Sequence, residues 1–311
     1  MKSLQMNAYG RTETLSFSEI PVPVLSPGDI LVKVAAVGIN PFDIKLLTGE
    51  FRNEIPQQLP VTIGSDFAGE VMETGSQVTH FQKGMKVYGS GISIAGGSGA
   101  LAEFLRVKGG KISVMPDNTS YIEAAAFVTP GCTAQQAVSW NLNVKPGQKI
   151  LIIGGAGAVG SLATQMCLNI GAHVAVTVGN EDIPYMKELG VDLIINYHLQ
   201  PFENLIHDYD GVLDTQGGET LLKCFGVLKP GGTLVSLVSK PSEELCREYG
   251  VKGVYQMTEI NTRSLNTLNF LIEEKILKPH HIVEVPFNEA IAAIDHKLKG
   301  NFPGKVVITM N

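Results

Sequence analysis

The segment Lys149-Ile-Leu-Ile-Ile-Gly-Gly-Ala-Gly-Ala-Val-Gly160 constrains this chain most. An apolar run of strand length stops at a glycine turn and resumes with helical spacing. The turn carries Gly155, Gly157 and Gly160 in GxGxxG spacing, with Ala156, Ala158 and Val159 between them. Glycine at those places permits a tight turn, close approach of backbone to a pyrophosphate, and packing of helix against strand. A dinucleotide is therefore expected at the N-terminus of a helix over residues 159–170, where amide groups and the helix dipole attract phosphate. With 34 glycines in 311 residues, the spacing alone is weak evidence and an ordinary turn remains the alternative. The surroundings decide between them. Ile150 to Ile153 is uninterrupted apolar sequence, as a strand buried on both faces requires. Ala172-His-Val-Ala-Val-Thr-Val178, Asp192-Leu-Ile-Ile195, Gly211-Val-Leu-Asp214 and Gly232-Thr-Leu-Val-Ser-Leu237 repeat the pattern with helix-length spacers. Such alternation predicts a doubly wound α/β domain.

A formal net charge of -6, without a run of Lys and Arg, argues against nucleic acid or an anionic membrane as partner. No apolar stretch is long enough to cross a bilayer, and the first residues lack the apolar core of a signal peptide, so a cytoplasmic location is expected. Cys132, Cys167, Cys224 and Cys246 are scattered, with no CxxC pair and no His at metal-ligand spacing. Cys167 and Cys224 fall in apolar helical patterns and read as buried small hydrophobes, while Cys132 borders the expected cofactor cleft.

Ahead of the glycine turn the pattern changes. Residues 29–37, 67–72, 85–88 and 102–107 are short, nearly alternating runs separated by Gly and Pro, which predicts a coiled, mostly antiparallel β domain. A helical stretch over residues 121–140, interrupted near Pro130, leads into the α/β part. Towards the C-terminus, residues 264–275 and 288–299 read as amphipathic helices, the second with Asn288 as N-cap, and Lys305 to Thr309 as a strand.

Several motifs in order then resemble one family: Val37-Gly-Ile-Asn-Pro-Phe-Asp43-Ile-Lys45, Gly64-Ser-Asp-Phe-Ala-Gly-Glu-Val71, Ala124-Ala-Ala-Phe127 with Gly131-Cys-Thr-Ala134, the glycine turn, Leu228-Lys-Pro-Gly-Gly232, and Phe302-Pro-Gly-Lys-Val-Val307. The chain resembles the medium-chain dehydrogenase/reductase superfamily, in its zinc-free quinone oxidoreductase and enone reductase branch, over nearly its whole length. The resemblance implies a GroES-like catalytic domain over residues 1–120 and 278–311, and a Rossmann NAD(P)-binding domain over 121–277. Zinc-dependent members place Cys, His and Cys around a catalytic metal. Here Asn40 stands for the first, Ser65 and Asp66 replace a His-Glu pair, and Thr129 replaces the third. Those side chains are poor zinc ligands, so no bound metal is expected.

Without a Lewis acid, the chemistry that remains is hydride transfer to an already electrophilic acceptor, a quinone or an α,β-unsaturated carbonyl. By resemblance, Asn40, Lys45 and Thr133 are the polar groups placed nearest the reacting oxygen or the nicotinamide ribose. Lys45 also fits a solvated surface cation, and Asn40 a turn residue before Pro41. Asp43 reads as fixing local backbone.

NAD-binding sheets usually carry Asp or Glu at the end of the second strand. This chain has Val176-Thr-Val-Gly-Asn180 there, so nothing at Thr177 repels a 2′-phosphate. Thr177, Gly179 and Asn180, with Tyr197, resemble the phosphate pocket of NADPH-using relatives. Glu181 and Asp182 follow and oppose that reading, and Lys187 is a candidate compensation. NADPH is favoured, with NADH possible. Gln216 and Leu237, after later strands, and Lys305, from the tail, complete the expected cofactor set. Two alternatives stay open: an enoyl-thioester reductase, and a nucleotide-binding protein without turnover, as in crystallins of this superfamily. Gly253-Val-Tyr-Gln-Met257 reads as an edge strand through which a homodimer would form.

Overall fold

A computed structural model describes residues 1–300 and 304–310. The elements run β1 (Lys2–Met6), β2 (Leu15–Glu19), β3 (Asp29–Gly38), α1 (Pro41–Thr48), β4 (Val61–Thr62), β5 (Asp66–Thr74), β6 (Lys86–Ser90), β7 (Phe104–Lys108), β8 (Ile112–Val114) and α2 (Tyr121–Gln136). Then come β9 (Lys149–Ile153), α3 (Ala158–Ile170), β10 (His173–Val178), α4 (Ile183–Glu188), β11 (Leu193–Asn196), β12 (Tyr209–Asp214), α5 (Gly218–Cys224) and β13 (Leu228–Ser236). The chain closes with α6 (Glu243–Glu248), β14 (Lys252–Tyr255), α7 (Thr262–Glu273), β15 (Ile282–Pro286), α8 (Ala290–Leu298) and β16 (Lys305–Thr309).

These elements form two compact units. One comprises Met1–Thr129, Ile260–Glu273 and His281–Asn311, and the other Pro130–Glu259 and Glu274–His280. The first is the GroES-like unit. Its large sheet has the order β15-β16-β3-β5-β6-β8, with β7 pairing β3, and a small sheet has the order β2-β1-β4. Pairing is antiparallel except between β15 and β16. Its core gathers Leu4, Ile30, Val32, Val37, Phe67 and Leu105 around β3, a strand apolar on both faces because it lies in the middle of the sheet. Each such side chain, fully buried, contributes about 1.5–3 kcal/mol.

The second unit is the Rossmann-like one. Six strands, all parallel, lie in the order β11-β10-β9-β12-β13-β14. Starting at β9 the chain adds strands to one side and then returns to the other, so the order reverses beside β9. Ligands of such sheets bind outside the carboxyl ends of the strands at that reversal. Ile150 to Ile153 are buried throughout, as the unbroken apolar run required.

Some boundaries differ from those read in the sequence. Residues 121–129 and α7 belong to the GroES-like unit rather than to the 121–277 segment. The Tyr88 hydroxyl donates to Leu265 O at 3.0 Å, and the Ser113 hydroxyl to Asn266 Oδ1 at 2.7 Å, tying α7 to β6 and β8. Helix α2 is not interrupted at Pro130. Residues 124–128 before it and 130–138 after it are buried, and that packing outweighs a proline cost of about 3 kcal/mol. The irregularity comes later, as a π-turn over Ala137–Asn141. Helix α8 starts after a 3-10 turn over Phe287–Glu289, with Glu289 rather than Asn288 at its N-cap. Phe302 and Pro303 of the last motif lie outside the described residues.

Candidate functional site

In the Rossmann-like unit, the glycine turn joins β9 to α3, with Gly157 as N-cap of the helix. Each glycine has a different reason. A Cβ at Gly160 would lie 2.1 Å from Gly154 O, and one at Gly155 would lie 2.6 Å from Val176 Cβ, so these two close the turn against helix and strand. A Cβ at Gly157 would meet only Gly154 O, at 3.3 Å, so this glycine keeps space clear outside the turn. Gly154, which the motif reading passed over, takes the left-handed conformation at φ +72° that starts the bend.

That space opens into a cavity of about 660 Å³ at the carboxyl ends of the strands. Of the expected cofactor residues, Ala156, Gly157, Thr177, Gly179, Tyr197 and Gln216 line it. Gly155, Ala158, Val159 and Gly160 shape the turn behind it, and Asn180 and Leu237 do not line it. The Thr177 hydroxyl is taken up locally, accepting from Gly154 N–H at 3.0 Å, so it braces the glycine turn. Asp214, the last residue of β12, is wholly buried. It accepts from the Gln216 and Gly217 amides and the Ser236 hydroxyl, which is strand-end turn chemistry.

Sequence reasoning missed one wall of this cavity: His198 to Glu203 after β11, and Thr220 and Lys223 on α5. The rule that ligands lie beyond strand ends was the available signal. Among the described residues, Lys223 is the one lysine or arginine lining the cavity, and its ammonium sits 2.8 Å from Glu203. Lys187 is exposed and does not line it. Of the two opposing carboxylates, Asp182 lines the cavity but faces His280 at 3.6 Å, and that imidazole stacks on Tyr185 with ring centroids 3.5 Å apart. A dinucleotide fits these residues: a helix N-terminus, a cleared glycine backbone and a half-open cavity occur together. Thr133 belongs to the same unit, with its hydroxyl 2.8 Å from that of Thr258.

The GroES-like unit holds a second constellation. Asn40 is the N-cap of α1, followed by Pro41, and Asp43 reaches back to accept its backbone N–H at 2.7 Å. The Asn40 Nδ2 donates to Ser65 Oγ at 3.2 Å, and Ser65 in turn hydrogen-bonds the Asp43 carboxyl. Asp66 accepts from the Thr129 hydroxyl at 2.6 Å and the Thr129 amide at 3.0 Å. Lys305, expected at the cofactor, lies here instead, buried, donating to Asn40 Oδ1 at 2.5 Å and to Asp66 Oδ2 at 3.3 Å. Burial, with the Asp66 charge beside it, pushes the Asp43 carboxyl up to about 6. Burial also lowers Lys305, against the attraction of Asp66 and Asp43, and brings Lys297 down to about 8, with Lys305 adding to that shift.

Lys45 stands apart from this cluster. Its ammonium pairs with Glu50 at 2.8 Å and lies 5.5 Å from the centre of the Phe51 ring.

Family models match two stretches of the chain: an alcohol dehydrogenase GroES-like domain over residues 26–117 and a zinc-binding dehydrogenase over residues 189–308. The chain is 32% identical to 2-methylene-furan-3-one reductase of Solanum lycopersicum, over 99% of this chain and 79% of that one. It is 30% identical to the NADPH-dependent alkenal/one oxidoreductase, chloroplastic, of Arabidopsis thaliana, with the same coverage of 99% and 79%. The quinone oxidoreductase structure from Coxiella burnetii superposes with a TM-score of 0.91 at 29% identity, over 100% and 99% of the two chains. The Escherichia coli quinone oxidoreductase complexed with NADPH, 23% identical with a TM-score of 0.89 over the full length of both chains, shares the fold.

Fold and site thus define a nicotinamide-dependent oxidoreductase. The chain belongs to the medium-chain dehydrogenase/reductase superfamily, among its quinone and enone oxidoreductases. The zinc named in one family description does not fit the residues present. Asn40, Ser65 and Thr129 offer neutral oxygens and an amide, Asp66 already accepts three hydrogen bonds, and the Lys305 ammonium binds both Asn40 and Asp66.

Proposed function

We propose that this chain is a zinc-independent, NADPH-dependent reductase of quinones or α,β-unsaturated carbonyls. One observation carries the reading: the glycine turn opens on a cavity whose β10 edge offers Thr177 and Gly179 in place of a carboxylate. When bound there, the nicotinamide supplies the hydride. The Asn40 amide donates a hydrogen bond to the acceptor oxygen as it gains charge, Lys45 supplies a proton or polarises the enolate, and Thr133 helps hold the nicotinamide ribose. An acceptor already activated by conjugation needs no metal for this.

NADPH is preferred over NADH because the end of β10 carries no carboxylate to repel the 2′-phosphate, and because Asp182 faces His280, 3.6 Å away. The partner is a small molecule, and β14, the outer strand of its sheet with Tyr255 and Met257 exposed, pairs two copies into a homodimer. The test is oxidation of NADPH and of NADH with a panel of quinones, enones and enals, alongside elemental analysis of the purified protein. Stoichiometric zinc, or turnover with NADH alone, would remove the corresponding part of the proposal.

A further inference from the structure

Gly38, the last residue of β3, opens a slot in the GroES-like unit. A Cβ there would lie 2.5 Å from Ala125 O, 3.0 Å from Lys305 Cε and 3.2 Å from Lys305 Nζ. The lysine stem passes through this slot from β16, which pairs with β3 in the register Val307 to Gly38. Burying a lysine is costly unless each of its donors finds a partner. Balancing the charge of Asp66 would be one reason to accept that cost, but the distances argue for another. The ammonium is 2.5 Å from the Asn40 carbonyl oxygen and 3.3 Å from the Asp66 carboxylate, whose oxygens already take two bonds from Thr129. It is seated for the amide first.

An ammonium can only donate, so it dictates which end of an amide faces it. With Oδ1 turned to Lys305, the Nδ2 group points away, and one of its hydrogens goes to Ser65. We propose that Lys305 is the resident cation of this site and a positioning residue. It is admitted by Gly38 and locks the Asn40 amide so that N–H, rather than C=O, is offered to a reacting oxygen. The inference rests on the function proposed above, where Asn40 is the donor. The charged groups facing Lys305 are Asp66 on β5, Asp43 on α1 and Lys297 on α8.

Two measurements test it. In protein carrying ¹⁵N-lysine, a slowly exchanging side-chain ammonium signal should vanish in Lys305→Met and shift in Asn40→Ala. A missing signal in the parent, or one unmoved by Asn40→Ala, overturns the pairing whether or not the protein turns anything over. The second measurement uses Lys305→Met with Asp66→Asn, which removes both charges and spares the fold an unpaired carboxylate. Its kcat should drop roughly tenfold or more, with NADPH affinity held within about twofold. Adding Asn40→Ala should then cost nothing further. Unchanged kcat, an additive third loss, or weakened NADPH binding at full kcat would each overturn the positioning role. A parent with no turnover in any quinone or enone assay refutes the function, while the ammonium signal still decides the placement of Lys305.

Discussion

Two alanines in the glycine turn should fail in opposite ways. In Gly160→Ala the new Cβ would lie 2.1 Å from Gly154 O, more than 1 Å inside ordinary contact. The obstacle is backbone at the start of the same turn, so no rotamer change relieves it. Overpacking of this kind costs about 3 kcal/mol at the upper end of its range. Alanine in place of glycine within a helix returns about 1 kcal/mol. The clash wins, leaving a net loss of roughly 2 kcal/mol, which for a unit of this size lowers the melting midpoint by about 5–8 °C. In Gly157→Ala the residue keeps φ -64°, which any L-residue adopts, and the methyl meets only Gly154 O at 3.3 Å. A modest loss of N-cap quality and a gain from a stiffer unfolded chain nearly cancel, so stability should stay within about 1 kcal/mol. The methyl instead projects where a pyrophosphate must approach the backbone, and NADPH affinity should fall tenfold or more, about 1.4 kcal/mol per factor of ten. Calorimetry gives the melting midpoints and fluorescence titration the affinities. If Gly160→Ala melts with the parent, or Gly157→Ala binds NADPH undiminished, the division of labour between the two glycines is wrong.

Asp43→Asn keeps the acceptor for the Asn40 amide and removes a carboxyl whose folded value, about 6, lies above its ordinary one. The folded state then binds more protons than the unfolded one between about pH 4 and 6, so this carboxyl makes stability fall as pH rises through that window. The variant should gain on the parent by a few kcal/mol above about pH 6 and lose that advantage below about pH 4, as denaturant melts across pH would reveal. Lys45→Ala breaks a half-exposed ion pair and should change stability by less than about 1 kcal/mol. Its kcat with an enone should nonetheless drop at least about tenfold, and full retention would take the lysine out of the mechanism. Thr177→Val removes the bond to Gly154 N–H and should cost about 1 kcal/mol of stability together with NADPH affinity; an unchanged melt would show that the hydroxyl does not brace the turn.

The doubly wound unit was legible because its signals are local. An apolar run such as Ile150 to Ile153, followed by a glycine turn and helical spacing, specifies strand, bend and helix within a dozen residues. The cavity wall from His198 to Glu203 was not, because those residues carry no pattern of their own and reach the site only through the parallel pairing of β10 and β11. Helix α7 shows the same limit. Its amphipathic face was plain, but what covers it depends on Tyr88 and Ser113, more than 150 residues away. Lys305 is the sharpest case. On sequence it is a cation next to a glycine in the tail, as suited to a phosphate as to a buried carboxylate. Only the pairing of β16 with β3, and the missing side chain at Gly38, carry it to Asn40.

That placement ties two sequence observations together. Asn40, Ser65 and Thr129 are poor zinc ligands, and the buried Asp66 carboxylate beside them needs a cation near it. An unpaired buried charge costs several kcal/mol, so Asp66 without a cationic partner would leave the unit poorly stable. A lysine delivered from a distant strand meets that requirement without restoring a Lewis acid. Being a donor on every side, it also fixes the polarity of the Asn40 amide. Asn40, Ser65, Gly38 and Lys305 thus act as one unit, and Lys305→Met alone should lower the melting midpoint more than Lys305→Met with Asp66→Asn, as calorimetry would show.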